Sequence, residues 1–191
     1  MSKHKLKKRL YSILTIAGVI GFIASFLQMV EKIELLKNPS AQLACNLNAI
    51  FSCSNILNTW QSSVFGFPNS LMCIIFFVIM ITAGLIGWMD GSTSKTLRMV
   101  FMGVAVFFVG FGFWYLWQSI VIVGAICVYC IFCYGSVLVI TGSWFRLNYQ
   151  ELNVSKKVRK IIDKIVIGNF DILILCLIAL AVITEAIAKF A

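Results

Sequence analysis

Between Leu97 and Phe145 lie 49 residues that carry a single charge, Arg98. A helix needs about 20 residues to cross a bilayer, so this stretch is too long for one span and too apolar for a water-soluble domain. It reads as two apolar helices joined by a tight bend. Polarity returns at Gln118, Ser119 and Gly124, beside Trp114, Tyr115 and Trp117, and Tyr and Trp favour the membrane interface, which sets the bend near Val121–Ala125. Three more apolar runs flank it. Tyr11–Val30 is uncharged, and its length and lack of a small-residue cleavage site mark it as a retained helix rather than a signal peptide. Pro68 opens a second run, since Pro suits a first helical turn. A fifth runs from Val166 to Phe190, with Asp171 and Glu185 near its ends as interfacial charges. Hydrophobic residues make up 61% of the chain and charged ones 12%, against about 25% charged in soluble domains. The expected fold class is all-α: a polytopic membrane protein with a four-helix transmembrane bundle plus a fifth transmembrane helix. Residues 1–191 form one integral membrane domain, with helices at 11–30, 68–88, 98–121, 126–145 and 166–190 and an outer loop at 31–67.

Basic residues orient this array. There are 16 Lys and Arg against 7 Asp and Glu, a net charge of +9. If the N-terminus is cytoplasmic, only Lys32, Lys37 and Lys189 fall on the opposite side, as the excess of Lys and Arg in cytoplasmic loops requires. The loop 31–67, the bend and the C-terminus then face outward. The positive charge is a topology signal with attraction to anionic lipid, and no nucleic-acid partner is needed to explain it. The lone histidine, His4, lies in a basic run, which argues against Ser-His or Cys-His catalysis and His-ligated metals.

Seven cysteines stand against that poverty of catalytic groups. Cys45 and Cys53 lie in the outer loop, and Cys127 and Cys130 form a C-x-x-C where the fourth helix begins, on the same side. Cysteines at i and i+3 of a helix face one another, and a thiolate at a helix N-terminus is stabilised by the macrodipole. A reversible redox pair, a zinc site and an inert pair all remain compatible with the motif alone. Cys73 and Cys176 read as small buried hydrophobes, while Cys133 either packs or could pair with Cys130. C-x-x-C-x-x-C also admits an iron–sulfur reading, which lacks a fourth ligand at the usual spacing. Two pairs on one face point to a relay whose electrons leave into a lipid-soluble acceptor such as a quinone, since neither G-x-G-x-x-G nor C-x-x-C-H occurs.

Cys45-Asn, FSCSNILNTW, FGFPNS and CVYCIFCY, in that order, resemble the vitamin K epoxide reductase family over about residues 10–146, and most closely its bacterial branch. The chain stops at Ala191 and resembles the type without a fused thioredoxin domain. The resemblance implies a membrane thiol:quinone oxidoreductase. Cys45 exchanges with a separate thioredoxin-fold protein of the DsbA kind on the outer face, Cys53 passes electrons to Cys127, and Cys130 reduces a quinone. Thr59 matches a residue that supports the loop, while Asn69 and Tyr134 match residues of the quinone pocket. The quinone is of ubiquinone, menaquinone or vitamin K type, and the site is the extracytoplasmic side of a plasma or inner membrane. This would sustain disulfide bond formation. Met72 and Cys73 stand where family members commonly have Gly, and Cys133 lies outside the family pattern. Trp60, Phe65 and Phe67 are either a cap over the site or interfacial aromatics. The rival readings are a non-enzymatic scaffold with structural disulfides and a membrane protein holding a metal through Cys45, Cys53, Cys127 and Cys130.

Overall fold

The computed structural model describes residues 3–46, 50–152 and 154–190. Its helices are α1 (Lys3–Lys37), α2 (Cys53–Leu57), α3 (Asn69–Trp88), α4 (Lys95–Trp117), α5 (Val128–Asn148), α6 (Lys156–Ile167) and α7 (Phe170–Phe190). No strand forms among the described residues; the one bridge joins Phe51 to Ile126 in parallel. Four helices are long and apolar enough to cross a membrane, or five if α6 and α7, bent by 72°, count as one span. The outer surface is apolar as well as the core: Ile16, Ile23, Phe26, Ile75 and Phe107 are all more than half exposed. Such a surface is stable only against lipid, and the protein is a multi-pass membrane protein.

α1 packs along α3 and α5, and α4 packs along α5. The contact between α1 and α3 is close because glycines line it. A methyl group added at Gly21 would meet the Phe77 ring, and one at Gly87 would meet the Tyr11 ring. Small residues let helix backbones approach where lipid removes the hydrophobic drive for association. The mid-bundle core is Leu14, Phe77, Met80, Ile140 and Trp144, with the Trp144 indole donating to Met80 Sδ at 3.1 Å. A second core surrounds the cysteines, where Leu43, Ile56, Leu57, Tyr115 and Leu116 pack against Cys53, Cys127 and Cys130.

Several local expectations are corrected. α1 does not end at Val30 but continues to Lys37, so Glu31 and Lys32 are helical, not part of the loop. Both are buried because they bond into the loop that follows. The residues between the helices expected at 126–145 and 166–190 are largely helical: α5 continues to Asn148, and Ser155 caps α6 by accepting from the Val158 N–H. The bend after α4 is a π-helical turn, Gln118–Val123, closed by Gly124 at φ 70°, a left-handed conformation that costs glycine little. Asp171 does not snorkel. It is buried and bound by the Arg146 guanidinium at 2.5 and 2.8 Å. Cys176 is exposed on α7 rather than buried, since α7 touches the bundle along one face only. The Glu185 side chain lies outside what is described.

Replacing Gly21 by Val would overpack the α1–α3 contact, at a cost of roughly 1–3 kcal/mol. The detergent-solubilised variant should unfold several degrees below wild type. An unchanged midpoint would mean that the helices are not in contact at this point.

Candidate active site

The loop after α1 is built to deliver one sulfur. Asn46 Oδ1 accepts from the Ser54 N–H at 3.2 Å, and its Nδ2 donates to Ser54 Oγ at 3.0 Å, pinning the start of α2. At the other end of α2, Lys32 Nζ donates to the Leu57 carbonyl and to Ser62 Oγ, satisfying a helix-terminal acceptor. Thr59 Oγ1 donates to the Ile56 carbonyl at 2.7 Å, so Thr59 closes the turn after α2 from within the loop. Ahead of α2, the Ile126 N–H donates to the Ile50 carbonyl at 2.8 Å. That bond lays the loop along the segment between Gly124 and α5.

These anchors bring the sulfurs into a row. Cys45 and Cys53 form a disulfide with their Cα atoms 5.8 Å apart. Cys53 Sγ lies 3.3 Å from Cys127 Sγ, which is sulfur–sulfur contact. Cys127 and Cys130 are free thiols. Cys127 precedes the first residue of α5, and its thiol pKa is held below the usual value, chiefly by the hydrogen bond from Cys130. All four are buried.

Beyond Cys130 is a cavity whose walls include Gln28, Asn69, Ser70, Cys73, Cys133 and Tyr134. Gln28 Nε2 donates to Cys130 Sγ at 3.4 Å. Asn69 Nδ2 donates to the Gln61 carbonyl at 2.6 Å and its Oδ1 accepts from the Val64 N–H at 3.2 Å. One amide hydrogen of Asn69 remains for a ligand, since the group carries two. The Tyr134 hydroxyl is buried with no hydrogen-bond partner among the described residues, the Tyr115 hydroxyl faces Cys130, and both residues line this cavity. A phenol left unpaired in an apolar site is costly. Gly112 makes room here, because a methyl group at that position would strike the Tyr134 ring. Phe65 packs on the cavity-lining Phe111 at 5.8 Å, and Trp60 on Trp114 at 6.3 Å, which places two of the three loop aromatics over α4.

The residues singled out from the sequence thus occupy one region: Cys45, Cys53, Cys127 and Cys130 in a row, Asn69 and Tyr134 on the cavity wall, and Thr59 in the loop turn. Four other residues at the site were not recognised from the sequence: Gln28, Glu31, Tyr115 and Tyr129. Gln28 and Glu31 are three apart and share a helix face, a signal that was hidden by ending the helix at Val30. Tyr115 resembled an ordinary interfacial aromatic.

A row of cysteines that combines a disulfide, two thiols and sulfur–sulfur contact, set in a membrane bundle, fits the chemistry of a membrane thiol–disulfide oxidoreductase. Residues 12–144 match the model of the vitamin K epoxide reductase family. The chain belongs to that family, whose members act on thiols and disulfides in membranes with quinones as general electron partners. Comparison with curated proteins finds no match.

Because the Cys130 hydrogen bond is the largest factor lowering the Cys127 pKa, Cys130→Ala should raise it. Titration by ultraviolet thiolate absorbance should show the Cys127 midpoint at higher pH than in wild type. An equal or lower midpoint would mean that Cys130 does not stabilise the thiolate.

Proposed function

We propose that this protein is a thiol:quinone oxidoreductase that reoxidises a separate thioredoxin-fold protein on the extracytoplasmic side of a plasma or inner membrane. The observation that carries the reading is the unbroken series from the Cys45–Cys53 disulfide through Cys127 to Cys130, ending at a cavity lined by the phenols of Tyr115 and Tyr134. The positions of the basic groups support the orientation. His4, Lys8 and Asp90 meet at the bundle end opposite the cysteines, as do Arg98 and Glu151.

The arrangement corresponds to a loop pair already oxidised and an inner pair still holding two electrons. In the full cycle, a thiolate of the partner attacks Cys45 Sγ, the Cys45–Cys53 bond breaks, and Cys53 leaves as thiolate. Cys53 then attacks Cys127 of a Cys127–Cys130 disulfide, forming Cys53–Cys127 and freeing Cys130. The partner's second thiol resolves its own mixed disulfide, which releases Cys45. Cys45 displaces Cys127 from Cys53, and the inner pair is left as two thiols. A quinone held in the cavity would be the electron acceptor: closing the Cys127–Cys130 disulfide would release two electrons to it, and the two protons that complete the quinol would be those given up by the partner's dithiol. Gln28 steadies the Cys130 thiolate through its amide N–H. Asn69, Tyr115 and Tyr134 present N–H and O–H donors where negative charge develops on the acceptor's oxygens, which is worth most in a water-poor site.

The test mixes purified protein in detergent with a reduced thioredoxin-fold protein and a quinone, and follows quinone absorbance. Loss of absorbance should require both the partner and Cys130; turnover in Cys130→Ser, or none with ubiquinone and menaquinone analogues, would sink the reading. Structural staples would leave every cysteine variant inert, whereas a relay traps a different mixed disulfide in each. Tyr115→Phe and Tyr134→Phe each remove one donor, worth about 0.5–1.5 kcal/mol. The quinone KM should rise roughly two- to twelvefold with no loss of stability in the quinone-free protein. Unchanged KM in both variants would remove the tyrosines from the pocket.

A further inference from the structure

Glu31 is a buried carboxyl group in direct contact with a reacting atom. Its Oε2 lies 2.6 Å from Cys45 Sγ, the sulfur that meets the partner in the proposed cycle. Its Oε1 accepts from the Tyr129 hydroxyl at 3.3 Å, which fixes the carboxyl plane, and the backbone N–H groups of Ala44 and Cys45 turn toward the same group. Lys32, the next residue, points away to Leu57 and Ser62, so no cation neutralises Glu31 at this point. A disulfide sulfur carries no hydrogen. The contact can be a hydrogen bond only if the proton sits on the carboxyl, so the proton is held by Glu31 when the disulfide is closed and by Cys45 when it is open.

We propose that Glu31 is a catalytic residue of the relay, the proton carrier for Cys45. The inference rests on the thiol–disulfide cycle of the preceding section and assigns it a group that neither the motifs nor the family match identifies. When the partner's disulfide forms, Cys45 departs as a thiolate and takes the proton from Glu31. When the loop closes again, Glu31 removes that proton while Cys45 attacks Cys53 of the Cys53–Cys127 disulfide. The Cys45–Cys53 bond forms, the Cys53–Cys127 bond breaks, and Cys127 leaves as thiolate. The negative charge has moved from the Glu31 carboxylate to Cys127, no net electrons are gained or lost, and the proton stays on Glu31.

The chemistry needs such a group. A carboxylate beside a thiol disfavours the thiolate by like-charge repulsion, so reduced Cys45 rests as a thiol and is a poor nucleophile. The same carboxylate overcomes this by accepting the proton during attack, as a general base does. The groups facing Glu31 are Cys45 and Cys53 of the loop, Tyr129 and Cys127 at the start of α5, and Glu34 one turn along α1.

The test uses the full chain in detergent, reduced and then freed of reductant, with glutathione disulfide as oxidant. Closure of Cys45–Cys53 is read by acid quench, alkylation and mass spectrometry across a pH series. Wild type should show a plateau at neutral pH that falls at low pH as Glu31 takes up a proton. Glu31→Gln keeps the acceptor for Tyr129 and loses the base. Its closure should be about 10²-fold slower at neutral pH and should rise steadily with pH as Cys45 ionises unaided, approaching wild type in alkali. Glu31→Asp withdraws the base by one methylene and should lower the plateau about tenfold or more while leaving the alkaline rates alone. Wild-type rates in either variant, or the same slowing at every pH, would overturn the proposal and leave Glu31 a structural residue. Because glutathione disulfide is the oxidant, failure of quinone reduction appears only in the separate quinone assay.

Discussion

The hydrogen bond from the Ile126 N–H to the Ile50 carbonyl holds together two parts of the chain that local structure alone would leave apart. The loop after α1 has little secondary structure of its own, and its short helix α2 spans only Cys53–Leu57. The segment 124–127 is likewise a connector. Paired through Phe51 and Ile126, each satisfies backbone groups that burial would otherwise leave unbonded. Sulfur–sulfur contact between Cys53 and Cys127 follows from that pairing. The two cysteine pairs are adjacent across a single parallel bridge, and Gly124, in a left-handed conformation, turns the chain just ahead of it.

Depth is arranged as carefully as contact. Cys45 is reached from the loop, while Cys130 opens on a cavity between α3, α4 and α5. Three of the sulfurs in this row have a hydrogen-bonding neighbour: Glu31 beside Cys45, Cys130 beside Cys127, and Gln28 beside Cys130. The Tyr134 hydroxyl in the cavity has no partner among the described residues. Cys73 and Cys133 share the cavity wall with Cys130. As compact, weakly polar side chains they fill volume without competing for the donors.

Much of this was legible in the amino-acid order. Long uncharged runs required spanning helices, and the C-x-x-C at a helix start pointed to sulfur chemistry. The spacing of Cys45, Cys53, Asn69 and Tyr134 matched a known pattern. What could not be read depended on where helices stop. The end of the uncharged run at Val30 looked like the end of α1, because charge in a membrane protein usually marks the water boundary. The helix continues since Glu31 and Lys32 have tertiary partners, and tertiary partners leave no local mark. The same cause hid α6, whose charges read as a loop although they lie along one amphipathic helix. Tyr115 lines the cavity from the last turn of α4, a placement set by packing that leaves no local mark in the sequence.

α1 carries Gln28 and Glu31 within one turn, about 4.5 Å apart along its axis at 1.5 Å per residue. Gln28 touches Cys130 and Glu31 touches Cys45, so one rigid rod gauges both terminals of the relay. Any displacement of α1 along its own axis would therefore alter both contacts together, so this helix ties the geometry at one end of the cysteine row to that at the other.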